Sequence, residues 1–377
     1  MAVQKITIEQ FIEMAKSHPV LDVRSPGEYL HAHIPGAHSV PLFTDEERKV
    51  VGTAYKQESR EQAIKIGLDY FGLKMRKVVE EVENLLALVK KTTNKSKTPD
   101  STVSAGNSVV VHCWRGGMRS AGIAWLLDLY GFKVYTIIGG YKAYRKWVRD
   151  QYEKKYPITI VGGYTGSGKT LIIHQLKKIG HPVIDLEGLA NHKGSAFGAL
   201  GEKPQPSQEM FENMLAEALA VVSRPMENNS SNQQPVNSNA TIWIEDESQR
   251  IGNLQIPMPF WGNMRSSPVC FVDIPFEQRL DYLTLEYGRF EKEKLVNAVM
   301  RIQKRLGGME TKNAINHLLE NNFKECFRIL LSYYDKWYLN GLYNREEVKT
   351  LLRAIPCTKV DVVSITNSLI HEKTLHF

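Results

Sequence analysis

At 377 residues, with 42% hydrophobic and 24% charged side chains, the chain has the composition of a globular protein of about two domains, which excludes wholesale disorder. No apolar run approaches the roughly 20 residues of a spanning helix, and the opening MAVQKITIEQ lacks a basic-then-apolar leader, so a cytoplasmic protein without membrane contact is expected. The 48 Lys and Arg against 41 Asp and Glu leave a formal charge of +7, which permits a polyanionic partner without specifying one.

In chain order, residues 6–12 read as a capped amphipathic helix and 20–23 as a short buried strand. Helical patterns occupy 60–90, and 91–107 is a Lys/Thr/Ser/Asn/Gly run without periodicity, expected as a loop. Strand 108–112 leads through a glycine-bearing turn at Cys113 to a helix covering 121–127, and 133–138 is another strand. The charged stretch 146–156 marks a division near residue 150. A second unit opens with strand 157–161, followed by strand candidates at 183–185, 241–244 and 269–273 and a polar loop at 227–239. From 277 the pattern is helical to about 352. Strands alternating with helices imply parallel sheets. The expectation is α/β throughout: a parallel-sheet domain over 1–150, a P-loop NTPase-like α/β domain over 151–276, and a helical C-terminal segment over 277–377.

Cys113, Cys270, Cys326 and Cys357 are too widely spaced for a zinc knuckle or a CxxC pair, which suits a reducing compartment and a thiol acting singly. Cys270 sits in an apolar run and reads as core. Cys113 differs. In His112-Cys-Trp-Arg-Gly-Gly-Met-Arg-Ser120 a strand ends, turns through two glycines and enters a helix, which aims several N–H groups and a helix N-terminus at one point. With Arg115 and Arg119 nearby, Cys113 should have a depressed pKa and act as a nucleophile.

This region resembles the rhodanese family: Asp22-Val-Arg24, Glu28-Tyr29 and His33-Ile-Pro-Gly-Ala37 match its N-terminal signature, and Cys113 falls at its persulfide-forming cysteine. Ala32 stands where that signature usually has Gly. The loop is one residue longer than in typical sulfurtransferases, and His-Cys-x5-Arg-Ser also fits the tyrosine-phosphatase signature, so a phosphatase competes, although no general-acid aspartate is evident.

Gly163-Tyr-Thr-Gly-Ser-Gly-Lys-Thr170 is a complete Walker A pattern after a strand and before a helix. Gly163, Tyr164, Thr165, Gly166, Ser167, Gly168, Lys169 and Thr170 should bind phosphate, with Lys169 a point charge and the Thr170 hydroxyl able to ligate magnesium. Glu245, Asp246 and Glu247 follow an apolar strand where a metal-organising carboxylate would lie. Asp185, Glu187, His192, Lys193 and Ser195 occupy a polar loop at a strand's C-terminal end, as substrate contacts or as caps.

The two modules in this order, with Asp185-Leu-Glu-Gly-Leu-Ala190 and Trp243-Ile-Glu-Asp-Glu-Ser248 in place, resemble the tRNA 2-selenouridine synthase family over nearly the whole chain. That resemblance implies replacement of sulfur in wobble 2-thiouridine of tRNA by selenium, through geranylation by geranyl diphosphate and then displacement using selenophosphate. It implies tRNA and a selenophosphate supplier as partners and no firm cofactor beyond optional magnesium. On this reading the P-loop takes geranyl diphosphate, Cys113, Arg115, Arg119 and Lys169 are catalytic, and Arg301, Lys304 and Arg305 contact tRNA phosphates. A P-loop kinase fused to a sulfur carrier, or a binding module with an idle cysteine, are the other classes that the motifs allow.

Overall fold

The computed structural model describes residues 2–95, 107–223 and 241–376. The expected polar stretches therefore lie largely outside the described residues: only 91–95 and 107 of the first, and none of 227–239. The chain divides into two compact units, up to Asp150 and from Gln151.

The first unit runs β1 (Gln4–Ile6), α1 (Ile8–Met14), β2 (Val20–Asp22), α2 (Pro26–His31), β3 (His38–Ser39), α3 (Asp45–Gln57), α4 (Arg60–Gly72), α5 (Met75–Lys95), β4 (Ser108–His112), α6 (Met118–Tyr130), β5 (Lys133–Ile137) and α7 (Gly140–Tyr152). The sheet is parallel throughout, in the order β1-β5-β4-β2-β3. Central strand β4 is buried along its whole length, which explains its unbroken valines. The first predicted helix is α1, started by a Thr7–Gln10 capping box, but the three residues before Thr7 form an edge strand that the periodicity did not suggest. Helix α3, also unforeseen, begins at a Thr44–Glu47 capping box. The core joins Leu21, Val23, Val109 and Val111 of the sheet to Phe71, Val78, Val82 and Leu127 of the helices.

The second unit runs β6 (Ile158–Gly163), α8 (Lys169–Lys178), β7 (Val183–Ile184), α9 (Leu186–Ala190), α10 (Gln208–Val222), β8 (Ile242–Glu245), β9 (Arg250–Ile251), β10 (Leu254–Gln255), α11 (Met258–Arg265), β11 (Val269–Asp273), α12 (Phe276–Tyr287), α13 (Lys292–Arg301), α14 (Gln303–Leu306), α15 (Gly308–Leu319), α16 (Phe323–Tyr343), α17 (Val348–Leu351), β12 (Leu352–Pro356) and α18 (Val362–His376). Strands β12-β11-β6-β8-β7 form a second parallel sheet, and β9 and β10 pair as a small antiparallel ribbon. The C-terminal segment is mainly helical, as expected, and it also returns β12 to the edge of this sheet, followed by α18 against α8. Helices α12, α13, α15 and α16 share their own apolar core with Phe197 and Leu200. Among the described residues no helix is long and apolar enough to cross a membrane.

Candidate functional site

In the first unit β4 delivers Cys113 to a loop backed by the start of α7, where the Tyr141 and Lys142 N–H groups donate to the Cys113 and Trp114 carbonyls at 2.9 Å each. The glycines are required. Gly116 and Gly140 have φ of +66° and +56°, and a Cβ at either would collide with backbone of the facing segment. Cys113 is 3% exposed, with its Sγ 3.3 Å from the Ser120 Oγ. Burial alone would raise the thiol pKa, but the Ser120 hydroxyl and the N–H groups of Ser120, Gly117 and Arg115 outweigh it, and the net shift is downward.

Behind the loop, Arg24 and Asp22 form a buried ion pair of 2.6 Å, and the Arg24 guanidinium lies 3.9 Å from the Tyr141 ring centroid. Beside them the buried His112 has neither ring nitrogen hydrogen-bonded, and burial lowers its pKa, keeping it neutral. The two loop arginines separate in role. Arg115 is exposed, whereas Arg119 donates to Glu28 at 2.6 Å, and Glu28 also accepts from Arg48 at 3.2 Å. Although burial opposes it, the Arg119 bond and charge lead in holding the Glu28 carboxyl at about 2.

One cavity of about 950 Å³ opens between α3, α4 and α6, with Arg115, Met118 and Arg119 on one wall.

In the second unit the P-loop leaves the central strand β6. Gly163, Gly166 and Gly168 have φ of +146°, +82° and +75°, conformations that favour glycine. Lys169 Nζ donates to the Gly163 carbonyl at 2.9 Å, and the Ser167 hydroxyl is buried without a hydrogen-bond partner. Thr170 Oγ1 donates to Glu187 at 2.6 Å, the Glu187 N–H donates to Glu245 Oε1 at 2.8 Å, and the buried Glu245 Oε2 has no partner. Burial and then the charges of Asp185 and Glu187 push the Glu245 carboxyl well above the usual range. Glu247 is raised likewise by burial and by Glu187, with Lys169 opposing. A Cβ on Gly194 would lie 2.5 Å from a Glu247 carboxylate oxygen, so that loop passes directly over the cluster.

The structure thus gathers Lys169, Thr170, Glu187, Glu245 and Glu247. It does not bring Asp246 or Asp185 to them in the same way. Asp246 accepts from the Tyr338 hydroxyl at 2.7 Å and pairs with Arg345. Asp185 caps α9 through the Gly188 N–H at 2.7 Å and pairs with His174 at 2.7 Å. In the adjoining loop, Lys193 binds Glu286 at 3.0 Å, Ser195 Oγ accepts from the Phe197 N–H, and His192 is buried under Gly198. Arg301, Lys304 and Arg305 are all exposed, and Arg301 also reaches the Ala196 carbonyl at 3.3 Å.

Two supports had no local sequence signal. The Tyr338 hydroxyl accepts from the Gly163 N–H at 3.0 Å, joining the P-loop to Asp246. Arg279, 3% exposed, donates to the Thr165 carbonyl at 3.1 Å, holds Asp335 with two hydrogen bonds of 2.9 and 2.8 Å, and lies 4.6 Å from the Tyr164 ring centroid.

Among the described residues no group of three or more His, Cys, Asp and Glu is arranged as a protein-only metal cage. The hard oxygen donors beside the P-loop nevertheless suit magnesium, which uses one or two carboxylates together with a substrate's phosphates.

Residues 7–146 match the family model described as rhodanese-like domain, and residues 156–354 match that described as tRNA 2-selenouridine synthase AAA domain. Relatives named tRNA 2-selenouridine synthase align along most of the chain. That of Bdellovibrio bacteriovorus is 32% identical, covering 87% of this chain and 89% of its own. Those of Nitrosomonas europaea and Hydrogenovibrio crunogenus are 31% and 33% identical, covering 90% and 86% of this chain and 91% and 89% of theirs.

Proposed function

The chain belongs to the tRNA 2-selenouridine synthase family, and from that premise we propose that it exchanges sulfur for selenium in wobble 2-thiouridine of tRNA by two transfers. This places it in a different class from the phosphatase and the nucleotide kinase that the isolated motifs also allowed. The observation that carries the reading is one chain holding both a thiol of depressed pKa ringed by N–H donors and a lysine-bearing phosphate cradle beside paired carboxylates.

In the first transfer the thiocarbonyl sulfur attacks C1 of geranyl diphosphate, the C–O bond breaks, and the N3 proton of the base is lost. The P-loop amides and Lys169 bind the departing diphosphate, a charge that develops as the bond breaks. A magnesium ion, when bound, would neutralise diphosphate oxygens, held by the Thr170 hydroxyl and Glu187. In the second transfer the Cys113 loop receives selenophosphate, with Arg115 facing its charge and Arg119 set beside it by Glu28. The selenium of selenophosphate attacks C2, the C2–S bond breaks and the geranylthio group leaves to be protonated as the thiol. Water then cleaves the Se–P bond, releasing phosphate and leaving selenium on C2. On this reading Arg301, Lys304 and Arg305, all exposed, contact tRNA phosphates, and a selenophosphate-forming enzyme supplies the donor.

The test is nucleoside analysis of 2-thiouridine-bearing tRNA after incubation with geranyl diphosphate and selenophosphate. Lys169→Ala should block the geranylated intermediate. Cys113→Ala should accumulate it and block selenation. Wild-type protein yielding neither product would overturn the reading.

A further inference from the structure

Apart from Arg115 and Arg119, the lining of the 950 Å³ cavity of the first unit has no part in the steps above, yet the cavity lies in the upper range of small-molecule sites, roughly 300–1,000 Å³. Tyr55, Leu68, Met118 and Trp125 are 54%, 59%, 51% and 52% exposed, and all four line it. Large apolar side chains gathered round one opening mark a binding surface. The charged side chains on the same lining are Arg48, Lys49, Lys56, Arg115 and Arg119; Glu28, outside the lining, accepts from Arg48 and Arg119 and offsets one of the five charges, so the group stays cationic. An occupant complementary to this lining is therefore a bulky hydrocarbon joined to a polyanion. The cavity also adjoins the Cys113 loop: Arg115, Met118 and Arg119 belong both to its wall and to the segment between Cys113 and Ser120, whose hydroxyl contacts the buried Cys113 Sγ.

Building on the reading above, we infer that this cavity seats the ten-carbon prenyl chain of the geranylated substrate and presents its thioether end to the Cys113 loop. The rim cations then face the phosphates of whatever carries the chain. During selenation the C2–Se bond to selenophosphate forms and the C2–S bond breaks, its electron pair leaving on the geranylthio sulfur, which is protonated to the thiol; water then cleaves the Se–P bond and phosphate is released. The hydrocarbon stays in the cavity as the RNA departs. Holding the chain there makes the geranylthio group, rather than any smaller thioether, the one correctly placed for displacement.

Chain length is the readout. Gly52 lines the cavity, and a Cβ there meets nothing within 4 Å, so Gly52→Phe starts without a backbone clash and adds bulk at the cavity wall. Leu68→Ala enlarges the same space. Selenation from selenophosphate is compared for tRNAs carrying S-dimethylallyl, S-geranyl and S-farnesyl 2-thiouridine. Gly52→Phe should lower the geranyl-to-dimethylallyl rate ratio at least tenfold while still turning over the dimethylallyl substrate. Leu68→Ala should raise the farnesyl-to-geranyl ratio. Ratios within twofold of wild type for both variants, or equal loss on every chain length, overturn the inference. Wild-type protein that fails to selenate S-geranyl tRNA would instead overturn the underlying function. Photolabelling with diazirine analogues of S-geranyl tRNA and of geranyl diphosphate identifies the source of the chain. Label within residues 42–125 from either probe supports the site, and label confined to residues beyond 150 from both overturns it.

Discussion

Tyr338→Phe removes one oxygen atom and tests whether a residue far along the chain holds the phosphate loop. That hydroxyl accepts from the Gly163 N–H at 3.0 Å and donates to Asp246 at 2.7 Å. Asp246 keeps Arg345 after the change, so the main loss falls on the Gly163 amide. A donor left without its partner costs about 1–3 kcal/mol, and a central value of about 2 kcal/mol corresponds to roughly 30-fold in an opening equilibrium. Hydrogen exchange by mass spectrometry reads this locally: peptides covering 163–170 should exchange about 30-fold faster, while those covering 108–127 in the other unit stay unchanged. Geranyl diphosphate affinity should weaken in step, because the opened loop must be reordered on binding. Unchanged exchange in 163–170 would refute the argument that this hydroxyl supports the loop.

Ser120→Ala keeps the backbone N–H but removes the hydroxyl 3.3 Å from the Cys113 Sγ; with thiolate stabilisation reduced by about 1.4 kcal/mol, iodoacetamide labelling near neutral pH should slow roughly tenfold and its pH midpoint rise. An unshifted profile would count against that bond. The Glu28 carboxyl, held at about 2, contributes stability that is present above its unfolded value of about 4.3 and lost as pH falls through about 2; Glu28→Gln should therefore flatten the stability curve across that window in acid titration followed by circular dichroism. Arg279→Lys cannot keep both bonds to Asp335, and urea unfolding should show about 3 kcal/mol lost; a change below about 1 kcal/mol would remove Arg279 from the supports of the loop.

Where chemistry is set by backbone amides within ten residues, it could be read directly, as at Cys113–Ser120 and Gly163–Thr170. What could not be read depends on distant partners. Nothing near Asp246 announces Tyr338 or Arg345, and nothing near Thr165 announces Arg279. The three acids after Ile244 are a sharper case. Side chains alternate in extended chain, so Glu245 and Glu247 share a side facing Glu187, and Asp246 takes the other, toward α16. That alternation was available as a signal and would have separated the three. Strands β1 and β12 escaped because both are edges: Gln4-Lys-Ile6 is too short to show periodicity, and Leu352-Arg-Ala-Ile-Pro356 is interrupted by Arg353 and ends in a proline tolerated only at an edge. Arg119 looked like a free cation because its partner, Glu28, is 91 residues away.

The return of β12 to the second sheet sets an order of assembly during synthesis. The first unit closes within the first 150 residues, so the thiol loop is complete while most of the second unit is still unmade. The phosphate cradle, though encoded at 163–170, waits for Tyr338 to tie Gly163 and for residues 352–356 to cover the open edge of β11. A translation product stopped short of Leu352 would carry a finished thiol site and an unfinished cradle, with β11 exposed to pairing with other chains. Interrupted synthesis would thus yield aggregation-prone fragments rather than half-length enzymes able to release a geranylated intermediate.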